Sequence, residues 1–298
     1  MFRVMIFLVP ALLAGTKYAG EFQELQVGAR ASAMGGTGIA QFTEPTTIYF
    51  NPAGTFFTPR SAHVMHAENF AGIVKNEFGA VVLPRGNMSL GLGVQYIHTD
   101  GIKLTTLPDT TSLPGSGNIP IAYDTVGTAD YLFYLNGSKG GEHLAYGVNL
   151  KVFYRDLSVI SGFGGGIDAG IAYKTDILRI GLAVRDLILS PIIWSSGLKE
   201  TILPRFALGV APVISLEKIY SRIMIEADVV KAVDIEGFDV DLGMEVGYKD
   251  LLFGRMGVYR GNVTLGMGVQ YKKFSLDYAF VTHPDLDNTT KISAGLAF

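Results

Sequence analysis

From residue 88 to the C-terminus the chain alternates apolar and polar residues in one stretch after another, and nearly every charge falls on one of the two interleaved rows. A period of two is that of a β-strand, whose successive side chains point to opposite faces. In 144–154, Leu144, Tyr146, Val148, Leu150, Val152 and Tyr154 form an apolar row, while Asn149, Lys151 and Arg155 stand on the other. The apolar rows of 90–96, 144–154, 167–173, 178–184, 206–210, 223–229, 240–248, 265–271, 274–280 and 292–298 contain no Asp, Glu, Lys or Arg. The opposite rows carry Lys151, Arg155, Asp168, Arg179, Arg185, Arg205, Glu226, Asp228, Asp241, Glu245, Asp277 and Lys291. A charge facing lipid at mid-bilayer costs about 2–4 kcal/mol in a barrel, so one-sided exclusion of charge is what a bilayer imposes. A soluble sandwich also alternates, but would expose its charged face. The pattern predicts an all-β fold, a transmembrane antiparallel β-barrel.

Alternation and turn residues place strand starts near Ala62, Asn76, Met88, Asp124, Glu142, Gly165, Leu178, Leu203, Ser221, Phe238, Leu251, Val263, Lys273 and Thr289, which makes about fourteen strands. With both termini on one side, the longest connections, 100–121 and 188–201, fall at the opposite end, and turns such as 174–177 and 249–251 are short. Long outside and short inside is the usual asymmetry of outer-membrane barrels. The first twenty residues read as a signal peptide, with Arg3 ahead of an apolar core at 4–14 and small residues near a possible cut. The expected organisation is a signal peptide (1–20), a lumen or plug segment (21–60) and the barrel (61–298).

Composition narrows the function. The 298 residues are 48% hydrophobic and 17% charged, yet beyond the N-terminus no apolar run reaches the length of about 18 that a spanning helix needs. The absence of cysteine excludes disulfides, thiolate metal sites and a cysteine nucleophile. A net charge of -3 gives no reason to expect nucleic acid. His63, His66, His98, His143 and His283 are scattered, and His63 and His66 lie three apart, which on a strand sends them to opposite faces. The glycine run 162–166 precedes a strand rather than a helix, so it is no nucleotide loop. No enzyme, cofactor or metal is expected.

Two strands nearly repeat, Ser89-Leu-Gly-Leu-Gly-Val-Gln-Tyr96 and Thr264-Leu-Gly-Met-Gly-Val-Gln-Tyr271. Their lumen-side glycines predict that something approaches the wall closely. Ahead of the strands runs Val27-Gly-Ala-Arg-Ala-Ser-Ala-Met-Gly-Gly-Thr-Gly-Ile-Ala40, then Glu44-Pro-Thr-Thr-Ile-Tyr-Phe-Asn-Pro-Ala-Gly54. Its small residues permit close backbone packing, and Asn51-Pro52 with Gly54 reads as a tight turn. Here, and in Leu276-Asp-Tyr-Ala-Phe280 followed by His283-Pro-Asp-Leu286, the chain resembles the PorV/PorQ family and, more distantly, the FadL-type transporters. The resemblance implies a fourteen-stranded barrel with its N-terminal segment inside the lumen, Gly28, Arg30, Gly35, Gly36, Asn51, Pro52 and Gly54 being the plug and turn positions. It also implies one of two roles: binding secreted proteins of a type IX system, or passing hydrophobic molecules inward. This chain is shorter than either family leads one to expect. A last strand ending Leu296-Ala-Phe298 resembles the signal read by the barrel-insertion machinery.

Inside the barrel, Arg155, Arg179, Arg185 and Arg205 gather on strands five to eight and Glu226, Asp228, Asp241 and Glu245 on strands nine and ten. Opposite charges in a narrow lumen are expected to pair and to make it rigid or plugged. The stretch Leu189-Ser-Pro-Ile-Ile-Trp194, holding the only tryptophan, reads as an outward loop in which Ile192, Ile193 and Trp194 meet a partner or the membrane interface. Expected partners are outer-membrane lipid, the insertion machinery, and secreted passengers or a translocon barrel. An apolar cavity opening through the wall would favour the channel; a charge-paired lumen filled by 28–54 would favour the binder.

Overall fold

The computed structural model describes residues 19–188 and 190–298, so the predicted signal peptide lies almost wholly outside the described residues. The strands are β1 (Ser61–Asn69), β2 (Val74–Arg85), β3 (Met88–Thr106), β4 (Ile121–Gly140), β5 (Leu144–Asp156), β6 (Ser161–Lys174), β7 (Leu178–Ile188), β8 (Ser190–Trp194) and β9 (Lys199–Ile202). There follow β10 (Arg205–Leu216), β11 (Ser221–Ala232), β12 (Asp239–Tyr248), β13 (Leu252–Tyr259), β14 (Asn262–Tyr271), β15 (Phe274–Val281) and β16 (Thr289–Ala297). Among the described residues, all but β8 and β9 form a closed 14-strand antiparallel barrel in chain order. β1 seals against β16 from Ser61↔Ala297 to Glu68↔Thr290. Closure pairs every wall strand on both edges, which leaves no open edge in the wall.

Burial is inverted relative to a water-soluble protein. On β5, Tyr146, Val148 and Leu150 are more than half exposed, whereas Asn149 and Lys151 are sealed from solvent at 0% and 1%. The same inversion runs round most of the wall: the outward row is apolar apart from a few ionisable residues such as His66, Glu68 and Glu77, and the inward row mixes buried polar groups with apolar ones such as Met65, Phe78, Leu132 and Phe153. Tyr146, Tyr173, Tyr248 and Tyr271 stand outward near the terminus-bearing end, and Tyr154 and Phe163 near the opposite, distal end. Amphipathic rings at two heights mark the interfaces of an apolar band. Leu296 and Phe298 also face outward, and the Phe298 amide donates to the Arg60 carbonyl at 3.1 Å.

Two connections differ from the sequence expectation. The segment 100–121 is not a plain loop: β3 and β4 stay paired as far as Thr106↔Ile121, beyond the last β2 partner at His98 and the last β5 partner at Ala129. The pair therefore runs on past its neighbours for about 25 Å of strand, taking about 3.3 Å per residue. The segment 188–201 contains the β8/β9 hairpin, and β8 takes over from β7 as the partner of β6, with Trp194↔Gly162 and Ile192↔Gly164. A break in the β6–β7 register between Ile167 and Ala169 makes room for the switch.

The segment ahead of β1 threads through the lumen. It holds α1 (Ala29–Ala33), α2 (Thr47–Phe50), and 3-10 turns at Glu21–Glu24 and Pro52–Phe56. Gly28, Gly35 and Gly36 have φ of 82°, 70° and 80°, values that a side chain would strain. Such short helical pieces gain little from propensity alone. They are held by the wall.

Candidate functional site

The plug has few groups of its own with which to satisfy its backbone, and lumen side chains supply the rest. Asp228 accepts from the Gly38 and Ile39 amides at 2.8 and 3.0 Å, and Glu226 accepts from the Ala40 amide at 2.8 Å. Thr264 accepts from the Gly35 amide and donates to the Ala33 carbonyl, each at 2.9 Å, and Ser293 accepts from the Ala29 amide at 2.8 Å. On the facing wall, Asn149 donates to the Ile48 carbonyl at 2.7 Å and Asn136 to that of Pro52 at 3.1 Å. Asn51 accepts from the Ala53 amide and donates to the Ile39 and Ile171 carbonyls, each at 3.1 Å, tying the predicted turn to both plug and wall. Pro52 opens the 3-10 turn, where its missing N–H costs nothing, and Gly54 packs beneath Phe42 and Thr47.

The predicted arginine and acid groups do not pair with each other, because the plug lies between them. Arg185 and Arg205 both reach Glu24 of the plug, at 3.6 and 2.7 Å, and Arg155 pairs with Asp130 of β4 at 2.6 Å. Glu245 holds Arg30 of the plug and Arg255, each at 2.7 Å, and Arg255 continues to Asp277 at 2.7 Å. Arg179 lies beside the Met224 sulfur, and its Nε has no partner. Asp241 leaves one carboxylate oxygen unpartnered, as do Glu226 and Asp228. Sequence reasoning missed Glu24 as the anchor of two arginines. It also missed the sealed group in which Lys151 bridges Asp168 and Asp186 at 3.1 and 2.9 Å.

Close approach of plug to wall is the reason for the inward glycines. A Cβ at Gly181 would collide with the Ile39 carbonyl, one at Gly147 with the Pro52 carbonyl, and one at Gly243 with the Met34 carbonyl. Gly257 lies as tightly against the Gly35 amide, and Gly91 and Gly266, from the repeated strand motif, against Ile48 and Ala33. The close approach expected from the repeat is therefore met, by the plug itself.

Trp194 is not on an exposed loop. Alternation along β8 turns Ile192 (0% exposed) and Trp194 (7%) inward and leaves Ile193 outward at 52%. The indole N–H donates to Glu200 at 2.8 Å, and the Arg155 guanidinium lies 5.6 Å from its ring and 4.0 Å over that of Phe22. The hairpin so caps the plug's first turn.

Two cavities lie on either side of the plug. At the distal mouth about 500 Å³ is lined by Leu25, Phe70, Tyr259, Val281, His283 and Lys291 among others, and its floor is the plug at Leu25 and Gln26. That floor is tied by Lys291 to the Gln26 carbonyl at 2.8 Å and by Gln95 to the Leu25 carbonyl at 2.9 Å. At the terminus-bearing end about 140 Å³ is lined by Arg30, His63, Arg222 and Arg255.

No protein-family model matches the sequence, and no curated protein matches it. Solved structures do match. The P. putida toluene transporter TodX superposes with a TM-score of 0.60 at 13% identity, covering 91% of this chain and 98% of its own. The CymD monoaromatic hydrocarbon channel gives 0.58 at 11%, covering 91% and 97%, and the Ralstonia pickettii toluene transporter TbuX 0.54 at 12%, covering 92% and 98%. The chain has the FadL-like barrel fold. At such identities the likeness speaks for architecture alone. It bears out the FadL-like barrel part of the sequence resemblance and does not show the PorV/PorQ part.

Proposed function

We propose that the chain is a gated conduit in the outer membrane of a Gram-negative-type bacterium, passing small hydrophobic molecules inward, with residues 21–58 as the gate. The observation that carries this reading is a mouth cavity of about 500 Å³ floored by the plug, in a barrel that matches toluene transporters over nearly their whole length. The volume is within the range of small-molecule sites, about 300–1,000 Å³. Because the lumen below is filled, passage requires the plug to shift. Its ties to the wall are hydrogen bonds and ion pairs, not covalent bonds.

The test uses the natural absence of cysteine. Ala33 and Ala279 pack together between plug and β15, so the A33C/A279C pair locks the plug when oxidised. In cells with an intact outer membrane, uptake of radiolabelled toluene should rise on expression, fall to the empty-vector level with the oxidised pair, and recover on reduction. Uptake indifferent to the lock overturns the reading.

A second reading, holding secreted proteins at the surface in the PorV/PorQ manner, is favoured by the filled, charge-paired lumen and by the projecting β3/β4 hairpin. Leu113, Ile119 and Tyr123 on that hairpin are 88%, 63% and 64% exposed. Gentle extraction and mass spectrometry of co-purifying proteins distinguishes it: recovery of a translocon barrel or of passengers sharing one C-terminal domain supports the holder.

A further inference from the structure

The outer wall carries a groove at the terminus-bearing end, across β4 to β7. Its volume is about 650 Å³, and it exists because small residues interrupt the outward row. Gly137 and Ala169 flank Val148 on one rung, with Gly137↔Val148 and Val148↔Ala169 paired across the sheet. Met88, Tyr146 and Leu182 rise around this low floor. The wall beneath is continuous through these rungs, since β4–β5 and β5–β6 keep unbroken register and β6–β7 pair from Ala169↔Val184 to Lys174↔Arg179, the register break lying just beyond Ala169. The groove is therefore a surface furrow, not a hole into the lumen.

Its rim carries two cations on neighbouring strands. Arg85 pairs with Met88, and Met88 in turn with Lys139, so two exposed cations stand on one outward rung either side of a methionine. Lys139 itself lines the groove. Among the described residues neither cation has an ion-pair partner, and the nearest turn acid, Glu142, lies 3.9 Å from His143. Adjacent strands are about 4.8 Å apart, so the two Cα atoms lie roughly 10 Å apart, within reach of one phosphate by two long side chains. Their height is that of Tyr146, in the aromatic girdle where headgroups lie.

We propose that this groove is a site for one anionic glycerophospholipid of the leaflet facing the terminus-bearing end, its phosphate on Arg85 and Lys139 and an acyl chain along Gly137 and Ala169. Charge complementarity selects the occupant: an apolar solute would satisfy the furrow but leave both cations without a partner. The inference rests on the barrel standing in a bilayer and is independent of what the lumen passes.

The experiment is native mass spectrometry of the barrel released from nanodiscs of mixed phosphatidylglycerol and phosphatidylethanolamine. The variants are R85Q/K139Q, which removes the clamp, and G137L, which fills the furrow. An added Cβ at Gly137 has no atom within 4 Å, so a side chain can enter the furrow there without a clash at its root. Wild type should retain one phosphatidylglycerol through release. Since each cation near an anionic headgroup strengthens binding, R85Q/K139Q should weaken retention by about tenfold or more. G137L should lose the lipid while keeping the barrel's heat-modifiable migration. Failure to enter the discs would overturn the bilayer reading and this site with it. Insertion with retention equal in all three proteins, or equal for both lipids, would overturn the site alone.

Discussion

Gly181 and Asp228 show how single positions fix the plug. The Ile39 carbonyl lies where a Gly181 Cβ would be, so G181V must push the plug away or distort β7, and overpacking of this kind costs about 1–3 kcal/mol. The expected outcome is a folded barrel whose plug is cut by added protease, with G254V as control because Gly254 faces open space. Asp228 presents the complementary case, since D228A strands the Gly38 and Ile39 amides that now donate to it. A buried unsatisfied donor costs about 1–3 kcal/mol, so hydrogen exchange at Gly38 and Ile39 should quicken by tenfold or more, and D228N, which can still accept, should quicken it less. Intact protection in D228A would count against the carboxylate as the latch. The sequence placed Asp228 inside and marked Gly91 and Gly266 as sites of close approach. It did not identify what approaches, because the partners are far off in sequence, Ile48 for Gly91 and Ala33 for Gly266, and such contacts leave no periodic trace.

At the scale of elements, the strands were legible and the departures from the wall were not. Every predicted strand start lies within a few residues of an observed one, because lipid on one face forces period-two patterning wherever the wall exists. Where the chain leaves the wall that constraint ends, so the overrun of β3 and β4 and the folding-in of β8 were hidden. Trp194 looked like an exposed anchor only because β8 pairing was not foreseen; Arg155, which lies over its ring and over that of Phe22, is distant in sequence. The tip of the β3/β4 hairpin is knotted by Asp109, whose carboxylate accepts from the Ser112 and Thr111 hydroxyls at 2.5 and 2.6 Å and from the Thr111 amide at 2.9 Å. These bonds, that of Ser112 first, hold the Asp109 carboxyl down to about 2, from an ordinary 3.8. A depressed acid stabilises the folded form above its ordinary value and loses that contribution as pH falls through the depressed one. Exchange at the Thr111 amide should therefore be insensitive to tip opening above about pH 4 and show added opening as pH falls toward 2, while D109A, which has no side-chain acceptor, shows the open behaviour throughout. A wild-type profile matching that of D109A would dismiss the knot.

Taken whole, the molecule separates two kinds of stability. The wall owes its integrity to inter-strand hydrogen bonds closed on themselves, which lipid makes obligatory. The plug owes its place to lumen side chains: Glu24 between Arg185 and Arg205, Arg30 on Glu245, and amides on Glu226 and Asp228. Removing residues 21–58 would take the partners from these groups, and a buried charge left alone costs about 3–5 kcal/mol. In this architecture, however, the vacated space floods, and water solvates what the plug had paired. The barrel should consequently survive the deletion with a lower Tm and gain a measurable ion conductance in planar bilayers. The intact chain should be silent, because the plug separates its two cavities. Equal conductance with and without the segment would mean that the lumen is open past it, and neither the gate nor the holder reading would then have its plug.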